Sequence, residues 1–344
     1  MVDIVYPTLS ERGRQILKAV VQDYIRTAEP VGSRTVAKHC GLGLSAATIR
    51  NAMADLEEMG FLFQPHTSAG RVPTEQGLRY YIDNLLEKED LSWGDQIAIE
   101  KSLSEVTADL ASILKKAVNV LAQISGHAAI ISAPKLKGEY IRHIEFVKIK
   151  TGLILVVCVL ASGLVQNRLI SIDKDLSDET LSRLSEYLNQ KLRTRDLDQA
   201  RDEILKEMEE DRRVFESLWE DLFSGTIEKV DDEEVYIGGQ ANLLDEPEFS
   251  SVDKMRALLR AFEEKEALIS LLDKCREGQG VQIFLGSQGL GAVGIIGCGL
   301  VLAPYCAIDG PLGSLGVVGP IRMNYARVMA LVDYTAQVLS EKVK

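Results

Sequence analysis

Residues 33–60 read SRTVAKHCGLGLSAATIRNAMADLEEMG, and residues 61–74 continue FLFQPHTSAGRVPT. Ser33 opens a short helix through Cys40, GLGL turns the chain, and Ser45 caps a further helix that stops at Gly60. In that helix Ile49, Met53 and Leu56 fall within about 60° of one another at the helical period, so they form its buried face. Ala47, Arg50, Asn51 and Ala54 then point outward, with Thr48 on the flank. Residues 61–74 predict two short extended pieces around a Ser68-Ala69-Gly70 tip, ended by Pro73. Helix, turn, helix and a two-stranded turn in this order outline a winged helix-turn-helix.

The outward face suits duplex DNA. Two small residues let a helix lie close in the major groove, where Arg50 can pair with guanine O6 and N7 and Asn51 with adenine N6 and N7. Ser45 and the free N–H groups of the helix start suit a phosphate. Ser33, Arg34 and Thr35 at the preceding helix, and Ala47 and Thr48 beside Arg50, complete the expected helical contacts. His66, Thr67, Ser68 and Arg71 form a small polar tip whose arginine can enter the minor groove.

Upstream, Thr8 with Glu11 predicts a capping box for a first helix whose stripe is Ile16, Leu17, Val20 and Ile25. Downstream, Thr74 starts a helix through Leu86, and a linker helix is expected from Ile97 to Ile124. From Ala128 the period changes to that of strands, with IRHIEFVKIK, LILVVCVL and LVQNRLISI. Residues 177–224 return to helix: Leu181, Leu184 and Leu188 line one face, and Ile204, Met208, Phe215, Leu218 and Leu222 line a second. Strand patterns resume near Val235, at VQIFLG and at VGIIGCGLVL, with helices at 251–273 and 324–342 around them. The expectation is a multidomain α+β chain: a head at 1–90, a linker helix at 91–126, an α+β domain from 127–175 and 235–344, and a helical insertion at 176–234. The apolar stripes of the insertion predict a homodimer joined through it, because one head buries too little surface for tight, selective binding.

The 344 residues carry a net charge of −12, which by itself argues against nucleic acid. Its distribution reverses that argument. Residues 31–80 hold five Lys/Arg against four Asp/Glu, so the acid is mostly elsewhere. Cysteines at 40, 158, 275, 298 and 306 stand singly, without metal-ligand spacing, and read as reduced core thiols of a cytoplasmic protein. No cofactor or metal is expected, and the N-terminus has no signal-peptide stretch. Leu290 to Ile308 approaches the length of a membrane span, but its glycines and Pro304 favour buried strands. Between Glu277 and Arg322 the only charge is Asp309, so this stretch is expected to aggregate if exposed before its sheet closes. Strands at 145–172 are expected to find partners beyond 235, which would slow folding further.

The run EPVGSRT through IDNLL (29–86), VYIGGQANLLDEPEF (235–249) and GVVGPIRMNYARVMALVDYTAQVLS (316–340) resemble the HrcA family of bacterial heat-inducible transcription repressors. The resemblance departs at Ile321 and at FLGSQG (284–289), both outside the head. It implies a homodimer on an inverted-repeat operator of double-stranded DNA, a GAF-like domain with an inserted dimerisation segment, and dependence on the GroEL chaperonin. Two other readings compete. Gly289-Leu290-Gly291-Ala292-Val293-Gly294 matches GxGxxG, but a dinucleotide site needs a helix next, where VGIIGCGLVL reads as strand. A small effector in the GAF-like domain is the second, although no convergent polar set appears in its strands. No arrangement of catalytic residues stands out, so an enzyme is not expected.

Overall fold

The computed structural model describes residues 7–39, 43–104, 110–133, 141–160, 165–171, 176–192, 235–263, 265–276, 278, 280–286, 297–307 and 310–343. The head consists of α1 (Glu11–Thr27), α2 (Ser33–His39), α3 (Ala46–Glu58), a ribbon of β1 (Leu62–Phe63) and β2 (Val72–Pro73), and α4 (Glu75–Asn84). Ser10, not Thr8, caps α1, because the helix begins at Glu11 and the Ser10 hydroxyl accepts from the Gly13 N–H at 3.2 Å. Ser33 likewise lies inside α2 rather than capping it. Ile16, Leu17 and Val20 pack with Ile49, Met53 and Leu56 in one core, as their helical spacing demands. α3 ends in a Schellman motif: Phe61 N–H donates to Leu56 and Gly60 N–H to Glu57, with Gly60 at φ +80°.

The expected linker helix is instead two packed helices, α5 (Trp93–Ser104) and α6 (Leu110–Ser125). Both are part of the body. Leu114, Ala117, Val118 and Leu121 are buried, because the apolar stripe of α6 faces the strands at Ala128–Ser132 and Val235–Gly238 rather than solvent.

The body sheet runs β7 (Val235–Gly238), β3 (Ala128–Ser132), β10 (Gly310–Pro320), β9 (Cys298–Ala307), β8 (Gln282–Leu285), antiparallel throughout. One face, with Ile131, Val301, Leu315 and Val317, packs towards α6 and α10 (Tyr325–Lys342). The other, with Ile130, Leu300, Leu302 and Val318, packs under α8 (Val252–Glu263) and α9 (Lys265–Arg276), which replace the single helix expected at 251–273. Burial on both faces explains why β9 and β10 carry no alternating polar residues. Among the described residues no helix is long and apolar enough to cross a membrane, and Cys298–Ala307 of the membrane-length run is a central strand.

The strands at 145–172 do not pair beyond 235. β4 (Ile141–Lys150), β5 (Leu153–Leu160) and β6 (Val165–Ser171) form their own antiparallel sheet, covered on one face by α7 (Asp178–Leu192). β3 already has both edges filled, by β7 and β10, which leaves the meander no edge to join there. α7 also satisfies the free edge of β4. Asn189 accepts from the Ile144 N–H at 2.7 Å and donates to its carbonyl at 2.9 Å, and the Phe146 N–H donates to Ser185 Oγ at 3.1 Å. The boundary between the two sheets falls between Ser132 and Ile141. Leu181 and Leu188, expected at a dimer interface, are buried within the chain, and Leu184 is half-buried. That face of α7 is spent on the chain's own meander. Ile204, Met208, Phe215, Leu218 and Leu222 lie outside the described residues.

Candidate nucleic-acid interface

α3 starts where it does because Ser45, in extended conformation, accepts from the Thr48 N–H at 3.1 Å. The remaining N–H groups of the first turn, together with the positive end of the helix, form a place for an anion. No acidic residue occupies that turn; Asp55, Glu57 and Glu58 stand at the other end. Ala47, Arg50 and Asn51 are exposed and Thr48 and Ala54 half-buried, opposite the buried Ile49, Met53 and Leu56. Among the described residues neither Arg50 nor Asn51 makes a hydrogen bond or ion pair, so both side chains can be given wholly to a ligand. In α2, Arg34 and Thr35 are exposed and Ser33 is half-buried.

The ribbon tip is built rather than loose. Gln64 Nε2 donates to the carbonyls of Thr67 at 3.1 Å and Ala69 at 2.8 Å, holding the turn that exposes His66, Thr67 and Ser68. Gly70 passes so close to the start of α2 that a Cβ there would lie 2.5 Å from the Val31 carbonyl. Val31 and Arg71 exchange both backbone hydrogen bonds at 2.9 Å, adding a third piece to the ribbon. These contacts, with the ion pair below, bring α2, α3 and the ribbon into one unit.

Arg71 is where the structure departs from the expected site. Its Nε donates to Glu57 Oε2 at 2.8 Å, and only 15% of its side chain is exposed, so it is engaged in tying the ribbon to α3. Glu57 and Gln64 were not evident as site residues from sequence, because their partners are a main-chain turn and a residue on another element. The only available signal was the Gln64 to Ala69 spacing around a turn.

Elsewhere the chemistry is quiet. Burial pushes the Cys275 thiol up to about 11 and Cys298 up to about 12, so neither is an activated nucleophile. Among the described residues no group of three or more His, Cys, Asp and Glu could hold a metal ion. Residues 289–294 of the GxGxxG run lie outside the described residues; the described chain resumes at Gly297 and enters strand β9. His127 lies in the bend before β3 and is largely buried, and burial together with the nearby Arg322 cation lowers it to about 4. His143 is exposed on the edge strand β4, 3.2 Å from Glu145.

The chain is similar to proteins named as transcription repressors. A chain from Geobacter sulfurreducens named "Heat-inducible transcription repressor HrcA" is 44% identical over 96% of this chain and 97% of its own length. A Syntrophobacter fumaroxidans chain of the same name is 41% identical over 97% of both. The family model "HrcA protein C terminal domain" matches residues 111–329. A solved structure, described as a hypothetical protein at 2.2 Å resolution, shares 26% identity and a TM-score of 0.67 over 98% of this chain and 99% of its own. The chain belongs to the HrcA family of heat-inducible transcription repressors.

Proposed function

We propose that this chain represses transcription as a cytoplasmic homodimer, each protomer reading one half of an inverted repeat with a winged helix-turn-helix. The observation that carries this reading is the exposed Arg50-Asn51 pair, without a partner among the described residues, on a helix whose start is capped by Ser45 and clear of acid. α3 is the reading helix: Arg50 and Asn51 take base edges while Ser45, Thr48 and the first-turn N–H groups take phosphate. Arg34, Thr35 and Ser33 flank the backbone. The ribbon is the wing, and His66, Thr67 and Ser68 lie along the minor groove, with Arg71 acting through Glu57 to hold the wing in place. The names of the relatives support the repressor reading and its induction by heat.

The body, read as a GAF-like domain, carries the meander and the insertion that follows it, and this region joins the dimer. Support comes from the face of the meander opposite α7, which no other described element covers and where Val147, Ile149, Val165 and Leu169 are 42 to 59% exposed. Leu155 pairs between Val147 and Leu169 in one cross-strand row. Apolar rows of this kind are buried in assemblies. Dependence on a chaperonin such as GroEL is supported by β9 and β10, whose uncharged residues must be sheltered until five strands have closed. When heat fills the chaperonin with other unfolded chains, the repressor stays unfolded and its genes are released.

Selection of bound duplexes from a random pool tests the central claim. An inverted repeat is expected. Recovery of a single asymmetric site, or of nothing above background, would overturn it.

A further inference from the structure

The head is not attached to the body by its chain alone. A single apolar core runs from α1 and α3 through α5 and α6 to β3, β9, β10 and α10. Across this junction two arginines reach main-chain carbonyls of the opposite unit. Arg79 of α4 donates from Nη1 to the Ile283 carbonyl at 2.8 Å, while its Nε is held by Asp83 at 3.0 Å. Ile283 lies in β8, the end strand of the body sheet, so the head satisfies a carbonyl on an open edge. Arg322, in the turn between β10 and α10, donates from Nη1 to the Ile25 carbonyl at 3.3 Å. Ile25 lies in the last turn of α1, where carbonyls have no helical partner and a cation is favoured. Glu246 and Glu248 hold the rest of the guanidinium, which is 14% exposed.

The two tethers join different helices of the head to different parts of the body. Added to the shared apolar core, two separated polar contacts fix the orientation of the head more tightly than the core alone. Beside Arg322 a cleft of about 820 Å³ separates Asp23, Arg26 and His39 of the head from His127 and Asn324 of the body. Arg322 bridges head and body along this cleft.

This has a consequence for DNA choice that rests on the reading of the chain as an inverted-repeat-binding dimer. We propose that Arg79 and Arg322 are specificity-determining positioning residues, which fix the angle of each head so that the dimer selects one separation of half-sites. Adding one base pair between half-sites moves the second by about 3.4 Å and turns it by about 35° around the duplex. Heads locked to their bodies cannot follow that rotation; heads on a swivel can.

The test uses the full chain and duplexes carrying the half-site recovered by selection, remade as inverted repeats with spacers one to three base pairs longer or shorter. Arg79→Met keeps the side-chain stem and removes the tether. Arg322→Lys is the second variant, because it keeps a cation beside Glu246 and Glu248 while losing the fork that reaches Ile25. The wild type is expected to lose about tenfold or more in affinity for a one-pair change. The variants are expected to lose about threefold or less, with unchanged affinity for a duplex bearing one half-site. A spacer profile the same as wild type in both folded variants overturns the proposal, as does a wild type indifferent to spacer length. If the wild type shows no preference for inverted repeats at all, the dimer reading fails and the proposal falls with it. If it prefers them but the profiles coincide, only the tether role fails.

Discussion

Arg50→Ala is the sharpest probe of the reading helix. Arg50 is exposed and has no partner among the described residues, so truncation leaves no buried group unsatisfied and should change stability by no more than about 0.5 kcal/mol. A two-hydrogen-bond contact to a guanine contributes about 1 to 3 kcal/mol of discrimination. A dimer places two such residues far enough apart to act independently, so the loss should be about 2 to 6 kcal/mol, or roughly thirtyfold to twenty-thousandfold. Anisotropy titrations at fixed salt, with a selected duplex and a scrambled one, measure this directly. A base reader loses affinity for the selected duplex only. A phosphate contact would weaken both equally and lower the salt slope by about one per arginine. Unchanged affinity in a variant with wild-type melting, or equal loss on both duplexes, would refute Arg50 as a base reader.

Three further outcomes follow from particular contacts. Gln64→Ala removes both hydrogen bonds to the wing tip and should cost about 1 to 2 kcal/mol of operator affinity. Hydroxyl-radical footprints should lose the flanking protection while the central α3 footprint remains, and an intact flank would show that the tip needs no such support. His127, lowered to about 4 from its ordinary 6.5, refuses a proton that the unfolded chain accepts between those values. Stability is therefore complete above pH 6.5 and falls as pH drops towards 4, by about 3 kcal/mol at the limit. His127→Phe should flatten that part of the melting-temperature profile, and equal slopes would mean the imidazole is not the group responsible. Leu169→Asp places a charge on the uncovered meander face, where Leu169 is 59% exposed, and should raise the dimer dissociation constant about tenfold or more by sedimentation without unfolding the chain. A dimer of unchanged strength would move the interface elsewhere.

Much of the head was legible because its determinants are local. The buried face of α3 follows from the spacing of Ile49, Met53 and Leu56, and its start from Ser45 and its stop from Gly60, each acting within a turn or two of chain. The free, outward position of Arg50 and Asn51 is the complement of that face. The resemblance carried by residues 29–86, 235–249 and 316–340 holds in the family match. Pairings between distant elements were decided only by the tertiary structure. Residues 145–172 have the alternation of strands wherever they pair, and only the packed chain shows that β4, β5 and β6 pair with one another in a sheet of their own. The same stripe of Leu181 and Leu188 serves an interface or a core equally well, and the meander beneath α7 makes it core. Arg71 has the composition of a groove-reading arginine, but Glu57 of α3 holds it. Arg79 meets Ile283 across 204 residues, a contact no periodicity encodes, because side-chain spacing records the face a residue occupies and only the packed chain determines what that face meets.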